Sequence, residues 1–513
     1  MSSVKTNIVA NFIGRTWGSL VGILVVPIYI HFIGIEQYGI LGVFAIFQTI
    51  LGLLDMGLSP TLNRELAGNI SLPNGKKYVN DLLFSMETIV FSISLVAGIG
   101  MVFTSSFFVN HWINLDKLSV HTATMAFILM AINFSIQFPF GIYQGGFMGL
   151  QKQITLNTIL LCATTIKPIA TILFLYLVSP SIITLLIVQI VVNIFQLYFF
   201  RAYLWKYIPT IEGKPVFTKE VIRKSGRYAA GIFMISILTI LLTQIDKIVL
   251  SKLLKLSKYG YYTLATTVAG TLSILLYAIT GAIFPKMTEY VSTNQQIELK
   301  TVFHKSSQLV SLAVLPVALC IFIFSEDLLL AWTRNSEIAR NAGPVLKYLI
   351  IGTAINSLMT IPYQYSLSVG WLRYGINISI VAIIIFLPVI LFAAYNYGVI
   401  GCAFVWMVLN ITYFIFAMLY LFSKHLTSER NKWYVTDVGR PMVVAILTTT
   451  PFYFVHLYYP LNNIYLLFLF ILCMGLTYIT TLVWGTPAIK QELQNIIGKK
   501  MPNLLKNKFR AGN

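Results

Sequence analysis

From about residue 7 to residue 485 the sequence is a succession of apolar runs, each near 20 residues or longer, cut by short polar or basic stretches. A helix rises about 1.5 Å per residue, so roughly 20 apolar residues cross the hydrocarbon of a bilayer. Inside it every backbone polar group must be bonded within its own segment. Such a chain is expected to be an all-α polytopic membrane protein. Hydrophobic residues make up 57% of the 513 and charged residues only 10%, and the mean hydropathy of +0.79 excludes an ordinary soluble domain. We read 14 transmembrane helices, at residues 7–33, 38–62, 79–107, 119–147, 154–178, 181–205, 226–250, 258–284, 306–325, 344–369, 375–395, 399–422, 439–459 and 462–485, with ends uncertain by about 4 residues.

The formal charge of +19 answers to topology, not to nucleic acid. With the N-terminus inside, alternate loops and both tails hold 26 of the 36 Lys and Arg, and the opposite loops hold 8. That asymmetry is the positive-inside bias and puts both termini in the cytoplasm. The first run is longer than a signal-peptide core, and no small-residue cleavage site follows it, so we expect it to be retained. Cys162, Cys320, Cys402 and Cys473 lie within apolar runs and read as small hydrophobes. No cluster of His, Cys or carboxylates has metal-ligand spacing, and we expect no metal and no cofactor beyond H+ or Na+ coupling.

An offset of 221 residues recurs. Tyr38-Gly39 corresponds to Tyr259-Gly260, Gly149 and Lys152 to Gly370 and Arg373, and Tyr176 to Tyr397, each at an equivalent helix end. This predicts two pseudo-symmetric six-helix lobes: an N-lobe over 1–207 and a C-lobe over 226–424. A basic cytoplasmic linker at 208–225 joins them, two extra helices fill 425–485, and a basic cytoplasmic tail covers 486–513. Six spans per lobe give parallel repeats, the arrangement of transporters whose substrate site lies between halves near the midplane.

Polar residues within the spans fall on single helical faces. Asn7, Asn11, Arg15, Gly18 and Gly22 do so in the first span, and Gln48, Gly52, Asp55, Ser59 and Asn63 in the second. Asn133, Gln137, Gly141 and Gln144 share a face of the fourth, and Asn157, Thr164, Lys167 and Thr171 a face of the fifth. Gly, Ser and Thr stripes commonly serve helix packing. Ionised groups need a partner or water. Arg15, Asp55 and Glu87 all lie about 10 to 12 Å from the cytoplasmic ends of their spans and could meet. Asp55, Glu87 and Asp246 are candidates either for ion coupling or for charge pairing, Asp246 with Lys247 near the outer end. Lys167 lies about 20 Å deep, with no acidic residue in its own span. It either extends to an interface, pairs with a carboxylate of another helix, or faces a water-filled cavity. Pro168, beside it, has no N–H to bond the carbonyl of Thr164.

The opening Asn7-x3-Asn11-x3-Arg15 with Pro27, Gly34-x-Glu36-Gln37-Tyr38-Gly39, Leu54-Asp55-Met56-Gly57-Leu58, Gln144-Gly145-x3-Gly149, Asp246-Lys247, Phe284-Pro285-Lys286 and Tyr397-Gly398-Val399-x-Gly401 together cover spans one to twelve. In this order they resemble the multidrug/oligosaccharidyl-lipid/polysaccharide exporter superfamily, most closely its Wzx-type flippases of O-antigen and capsule repeat units. The resemblance implies two lobes in a V, as in MATE transporters. It further implies translocation of a polyprenyl-pyrophosphate-linked oligosaccharide from the cytoplasmic to the periplasmic leaflet of a bacterial inner membrane by alternating access. Lys167 and Arg15 would face the pyrophosphate. Tyr143, Gln144, Gln137 and Asn157 would meet sugar hydroxyls, and Asn11, Gln48 and Thr164 would line the same cavity. A polysaccharide polymerase and a chain-length regulator are the partners it suggests, and spans thirteen and fourteen would hold the lipid tail.

Two other readings compete. A cation-coupled drug antiporter of the same fold favours an unpaired acidic residue in a less cationic cavity. A glycan polymerase or glycosyltransferase needs large loops bearing carboxylates or His. Here the loops are short, and the six histidines show no triad or ligand spacing, so we expect no enzyme.

Overall fold

A computed structural model describes residues 4–55, 57–70, 75–211, 213–218, 237–238, 240–459 and 463–500. Among them no strand forms, and 11 helices are long and apolar enough to cross a membrane. Where 14 spans are expected, two pairs run on as single helices. Val4–Leu51 (α1) bends at Gly34, whose φ of 78° suits a residue without a Cβ, and so covers the region of two expected spans. The helix Leu372–Thr412 does the same at Gly398, φ 58°. Most of the first half of the expected 226–250 span lies outside the described residues.

By the density of internal contacts the chain divides into two compact units, Met1–Leu264 with Ala382–Val399 and Ala265–Val381 with Ile400–Asn513. The first holds α1, Leu58–Asn69 (α2), Gly75–His111 (α3), Val120–Gln137 (α4), Phe140–Gly149 (α5), Gln153–Leu177 (α6), Ile182–Tyr207 (α7) and most of Leu256–Ala269 (α8). Here α3 packs on α4, α1 and α7 on α6, and α2 on α5. Leu62, Leu66, Leu82, Met86, Phe147 and Phe200 belong to one buried cluster. Lipid is as apolar as these side chains, so close packing rather than water exclusion selects the contacts.

Glycines decide how near the helices come. A Cβ on Gly145 would lie 2.3 Å from the carbonyl oxygen of Ser59, and one on Gly149 2.5 Å from that of Asn63. The Gly145-x3-Gly149 spacing is thus the seat of α2 on α5. The two repeat-related glycines meet each other's helix: a Cβ on Gly39 would lie 2.6 Å from the carbonyl of Leu256, and one on Gly260 2.4 Å from that of Ile35. Between these two contacts, Glu36 and Gln37 bond backbone groups left over at helix ends. The Glu36 carboxylate accepts from the N–H groups of Asp116, Lys117 and Leu118 at 2.7 to 3.2 Å. Gln37 Oε1 accepts from the first N–H of α7, at Ile182, at 2.8 Å.

The second unit centres on Gln296–Ile323 (α10), against which pack Thr271–Ser292 (α9), Ser336–Leu358 (α11), Thr360–Ser368 (α12), Arg440–Tyr458 (α14), Asn463–Thr480 (α15) and Pro487–Lys500 (α16); Leu372–Thr412 is α13. The described cysteines are free, yet Cys320 and Cys473 are both buried with Sγ atoms 3.5 Å apart, joining α10 to α15.

Candidate functional site

The polar faces of α1 and α6 meet. A Cβ on Gly14 would lie 2.5 Å from Asn157 Oδ1, one on Gly18 3.8 Å from the methyl of Thr164, and Trp17 Nε1 donates to Thr165 Oγ1 at 2.8 Å. Asn157 is buried and donates through Nδ2 to the carbonyl of Gln153 at 2.7 Å. The Thr164 hydroxyl turns back on the carbonyl of Leu160 at 2.7 Å, and Thr171, fully buried, does so on that of Lys167. Much of this stripe is therefore helix packing, with the hydroxyls satisfied within their own helix.

Lys167 stands apart. It is half-buried on the continuation of this face, and among the described residues its ammonium has neither a hydrogen bond nor a carboxylate within ion-pair reach. The helix runs on through Pro168. From the Trp17–Thr165 contact, the level of Lys167 lies about 6 Å further along the α1 axis than the backbone of Arg15. Both Arg15 and Asn11 are helical, but their side chains lie outside the described residues.

The expected meeting of Glu87 with Arg15 is replaced by a different arrangement. Glu87 is 5% exposed and accepts from Tyr143 OH at 2.7 Å and Trp205 Nε1 at 2.8 Å, while the Arg201 guanidinium lies 3.4 Å from its other oxygen. Its cation therefore comes from α7. A buried carboxylate with three donors is a fixed structural charge. Tyr143, a sugar-facing candidate by sequence, is enclosed in this network with no exposed surface. Asp55 accepts from Ser59 Oγ at 2.6 Å and from Ser59 N–H at 3.4 Å, which ties it to the start of α2. No described cation lies within 4 Å of it.

The amides of the second and fourth expected spans do come together. Gln48 Nε2 donates to Gln137 Oε1 at 2.9 Å, and Gln137 Nε2 and Asn193 Nδ2 both donate to Asn133 Oδ1, at 2.9 and 2.6 Å. Asn133 and Asn193 are fully buried, and Gln48 and Gln137 are half-buried at the open end of the relay. Gln144 is half-buried and makes no hydrogen bond to another described residue. Asp246 is buried, with one oxygen bonded by the Tyr262 hydroxyl and the other without a partner among the described residues. Lys247 does not pair with it; its ammonium binds the carbonyl of Thr243 at 2.8 Å and Gln244 Oε1 at 3.3 Å. A separate apolar groove of about 540 Å³ runs between α6 and α7, lined by Cys162, Ile166, Phe195, Phe199 and Tyr207 among others, and none of the candidate polar residues reaches it.

Sequence reasoning missed Arg201 and Asn193 as members of these networks. Both sit on α7 and reach partners 114 and 60 residues away. Arg201 reads as one more interfacial cation, and Asn193 is a single amide in an apolar run.

Residues 4–291, more than half of the chain, match the model of a family described as polysaccharide biosynthesis protein, and residues 232–392 match the MatE family. A Shigella flexneri protein named "Putative O-antigen transporter" is 22% identical over 415 residues, 79% of this chain and 94% of that protein. Among solved structures, the lipid II flippase MurJ in an inward closed conformation superposes with TM-score 0.69 at 14% identity, covering 92% of this chain and 97% of its own. An inward-facing MATE multidrug resistance transporter superposes with TM-score 0.63 at 13% identity, covering 82% and 96%. These relatives are transporters and flippases rather than enzymes. The chain is a multi-pass membrane protein of the polysaccharide biosynthesis protein family, within the multidrug/oligosaccharidyl-lipid/polysaccharide exporter superfamily to which the Wzx-type flippases belong.

Proposed function

We propose that this protein flips a polyprenyl-pyrophosphate-linked oligosaccharide, an O-antigen or capsule repeat unit, from the cytoplasmic to the periplasmic leaflet of a bacterial inner membrane, with both termini cytoplasmic. The observation that carries the reading is the Lys167 ammonium, half-buried within a span and unpaired among the described residues. Such a cation in low dielectric is costly unless an anion or water meets it. A pyrophosphate fits that need, and the O-antigen assignment of the Shigella relative supports the substrate class. Arg15, on the facing helix, would be an earlier step on the same cationic path. Gln48, Gln137 and Gln144, all half-buried, are the sugar-binding candidates. Asn11 would line the cavity beside Arg15, with Asn157 and Thr164 forming its packed wall.

Alternating access by two six-helix lobes in a V is the motion this function needs. The bends at Gly34 and Gly398 together with the 226–250 segment are consistent with 14 spans. A polymerase and a chain-length regulator are natural partners, since the flipped unit must be joined to a growing chain. Asp246, with one oxygen unpartnered among the described residues, is the candidate for H+ or Na+ coupling. That group also favours a second reading, a cation-coupled antiporter of small cationic compounds, which the MatE match supports. Reconstituted protein separates the two. The flippase reading requires lipid-linked oligosaccharide to become accessible in the opposite leaflet, and transport of a cationic dye without lipid translocation would favour the antiporter.

A further inference from the structure

In the second unit a histidine is held between two carboxylates, and the transport reading makes no use of it. His304 on α10 is 4% exposed and Asp437 has no exposed surface. Nδ1 of the ring contacts a carboxylate oxygen of Asp437, and Nε2 lies 3.0 Å from Oε2 of Glu429. Gln308 Nε2 donates to the other Asp437 oxygen at 2.9 Å, and Ser311 Oγ donates to the Asp437 carbonyl at 2.7 Å. Lys300 Nζ sits 2.6 Å from the second oxygen of Glu429. Asp437 is carried by a π-helical turn, Trp433–Gly439, at the entry to α14, and such turns recur at functional sites. From α16, the N–H of Ala488 donates to Gln308 Oε1 at 2.9 Å, and Glu492 lies 3.5 Å from Lys305. On α12, Tyr365 stacks edge-on against Phe303 and faces His425. No other described acidic or basic side chain from the helices around α10 forms an ion pair with the cluster.

Carboxylates only accept hydrogen bonds, and a neutral imidazole has one donor and one acceptor nitrogen. An oxygen against each nitrogen is satisfied only when both nitrogens carry a proton, or when one carboxyl does. Either way the cluster holds one proton more than a neutral ring between two carboxylates. Without it two lone pairs face each other in a buried site, which is unfavourable.

We propose that His304, Asp437 and Glu429 form a proton-binding site, and that its proton pins the helices α14, α15 and α16 onto α10. The Cys320–Cys473 contact marks the same α10–α15 seam further along. Loss of the proton loosens this seam.

Two measurements on the full chain in nanodiscs test this. In the unsubstituted protein, hydrogen exchange over residues 440–458, corrected for its intrinsic pH dependence, should rise about tenfold between about pH 6 and about pH 9. Spin labels at Ile297→Cys and Trp484→Cys, both exposed positions, in a background free of native cysteines, should give one narrow distance at the lower pH and a broad distribution at the higher. Asp437→Asn, whose amide can donate to an unprotonated ring nitrogen, should keep the distance narrow at both. Corrected exchange or label distances that do not change with pH in the unsubstituted cluster would overturn the proposal. So would an Asp437→Asn protein that is broad at both pH values, since Asp437 would then serve packing alone.

Discussion

At the scale of single residues, the charges inside the first unit divide into those with partners and those without. Glu87 has three donors, and two of them give distinct predictions. Tyr143→Phe removes a bond to a buried charge and should cost about 2 kcal/mol, read as a lower unfolding temperature in detergent. Arg201→Ala should cost less, about 1 kcal/mol, because its side chain is 57% exposed and solvent screens it. An equal loss from the two substitutions would argue against a buried, donor-held Glu87. Lys167 and Asp246 are the opposite case: Lys167 has no described partner, and one Asp246 oxygen has none. The absence of an acid from the span of Lys167 was legible in the sequence. The identity of Glu87's cation was not, because depth along a helix gives height but not the direction a side chain faces. By count along their spans Arg15, Asp55 and Glu87 are expected at one height, yet Glu87 turns to α7.

At the scale of helices, the family-like motifs prove to be the joints. The Gly145 and Gly149 contacts predict that Gly145→Val unseats α2 from α5 at a cost of about 2 kcal/mol or more, because the obstacle is backbone. Gly52→Ala, where nothing lies within 4 Å, should be nearly neutral in the same unfolding assay. Beside the Gly39–Gly260 crossing, Asp116 accepts from Ser257 and lies 2.9 Å from Lys255 Nζ. Burial works to raise the Asp116 carboxyl, but hydrogen bonds from Ser257 and Lys255 outweigh it and hold it below its usual range. The bond to Asp116 raises Lys255 above its usual value. The depressed acid contributes stability above the ordinary carboxylate pKa, and this is lost as pH falls through the lower folded value. The raised base contributes below the ordinary lysine pKa, and this is lost as pH rises through the higher folded value. Asp116→Asn should therefore flatten the acid side of the stability profile. An unchanged acid limb would show the pair to be idle. Helix existence was legible because hydropathy alone selects spans. The joining of two spans through Gly34 and through Gly398 was not, because a single positive φ sets it, and that depends on what the bend packs against.

For the whole molecule, Gly39 and Gly260, which the 221-residue offset pairs, each allow the other's helix to approach. The second unit shows what such a pattern misses. His304 looked like one of six scattered histidines, yet Asp437 and Glu429 reach it from 133 and 125 residues away. Nothing in local spacing encodes a contact made across three helices.

In the proposed mechanism, positive charge at Lys167 moves an anionic lipid-linked glycan across the bilayer. The direct test is the rate at which lipid-linked oligosaccharide crosses proteoliposomes containing wild-type, Lys167→Ala, Lys167→Arg or Lys167→Met protein, each checked for wild-type unfolding behaviour. Alanine and methionine should slow translocation at least about tenfold, as loss of one desolvated charge contact of about 1.4 kcal/mol or more requires, and arginine should retain most of it. Translocation at the wild-type rate by a folded Lys167→Met protein would contradict that mechanism.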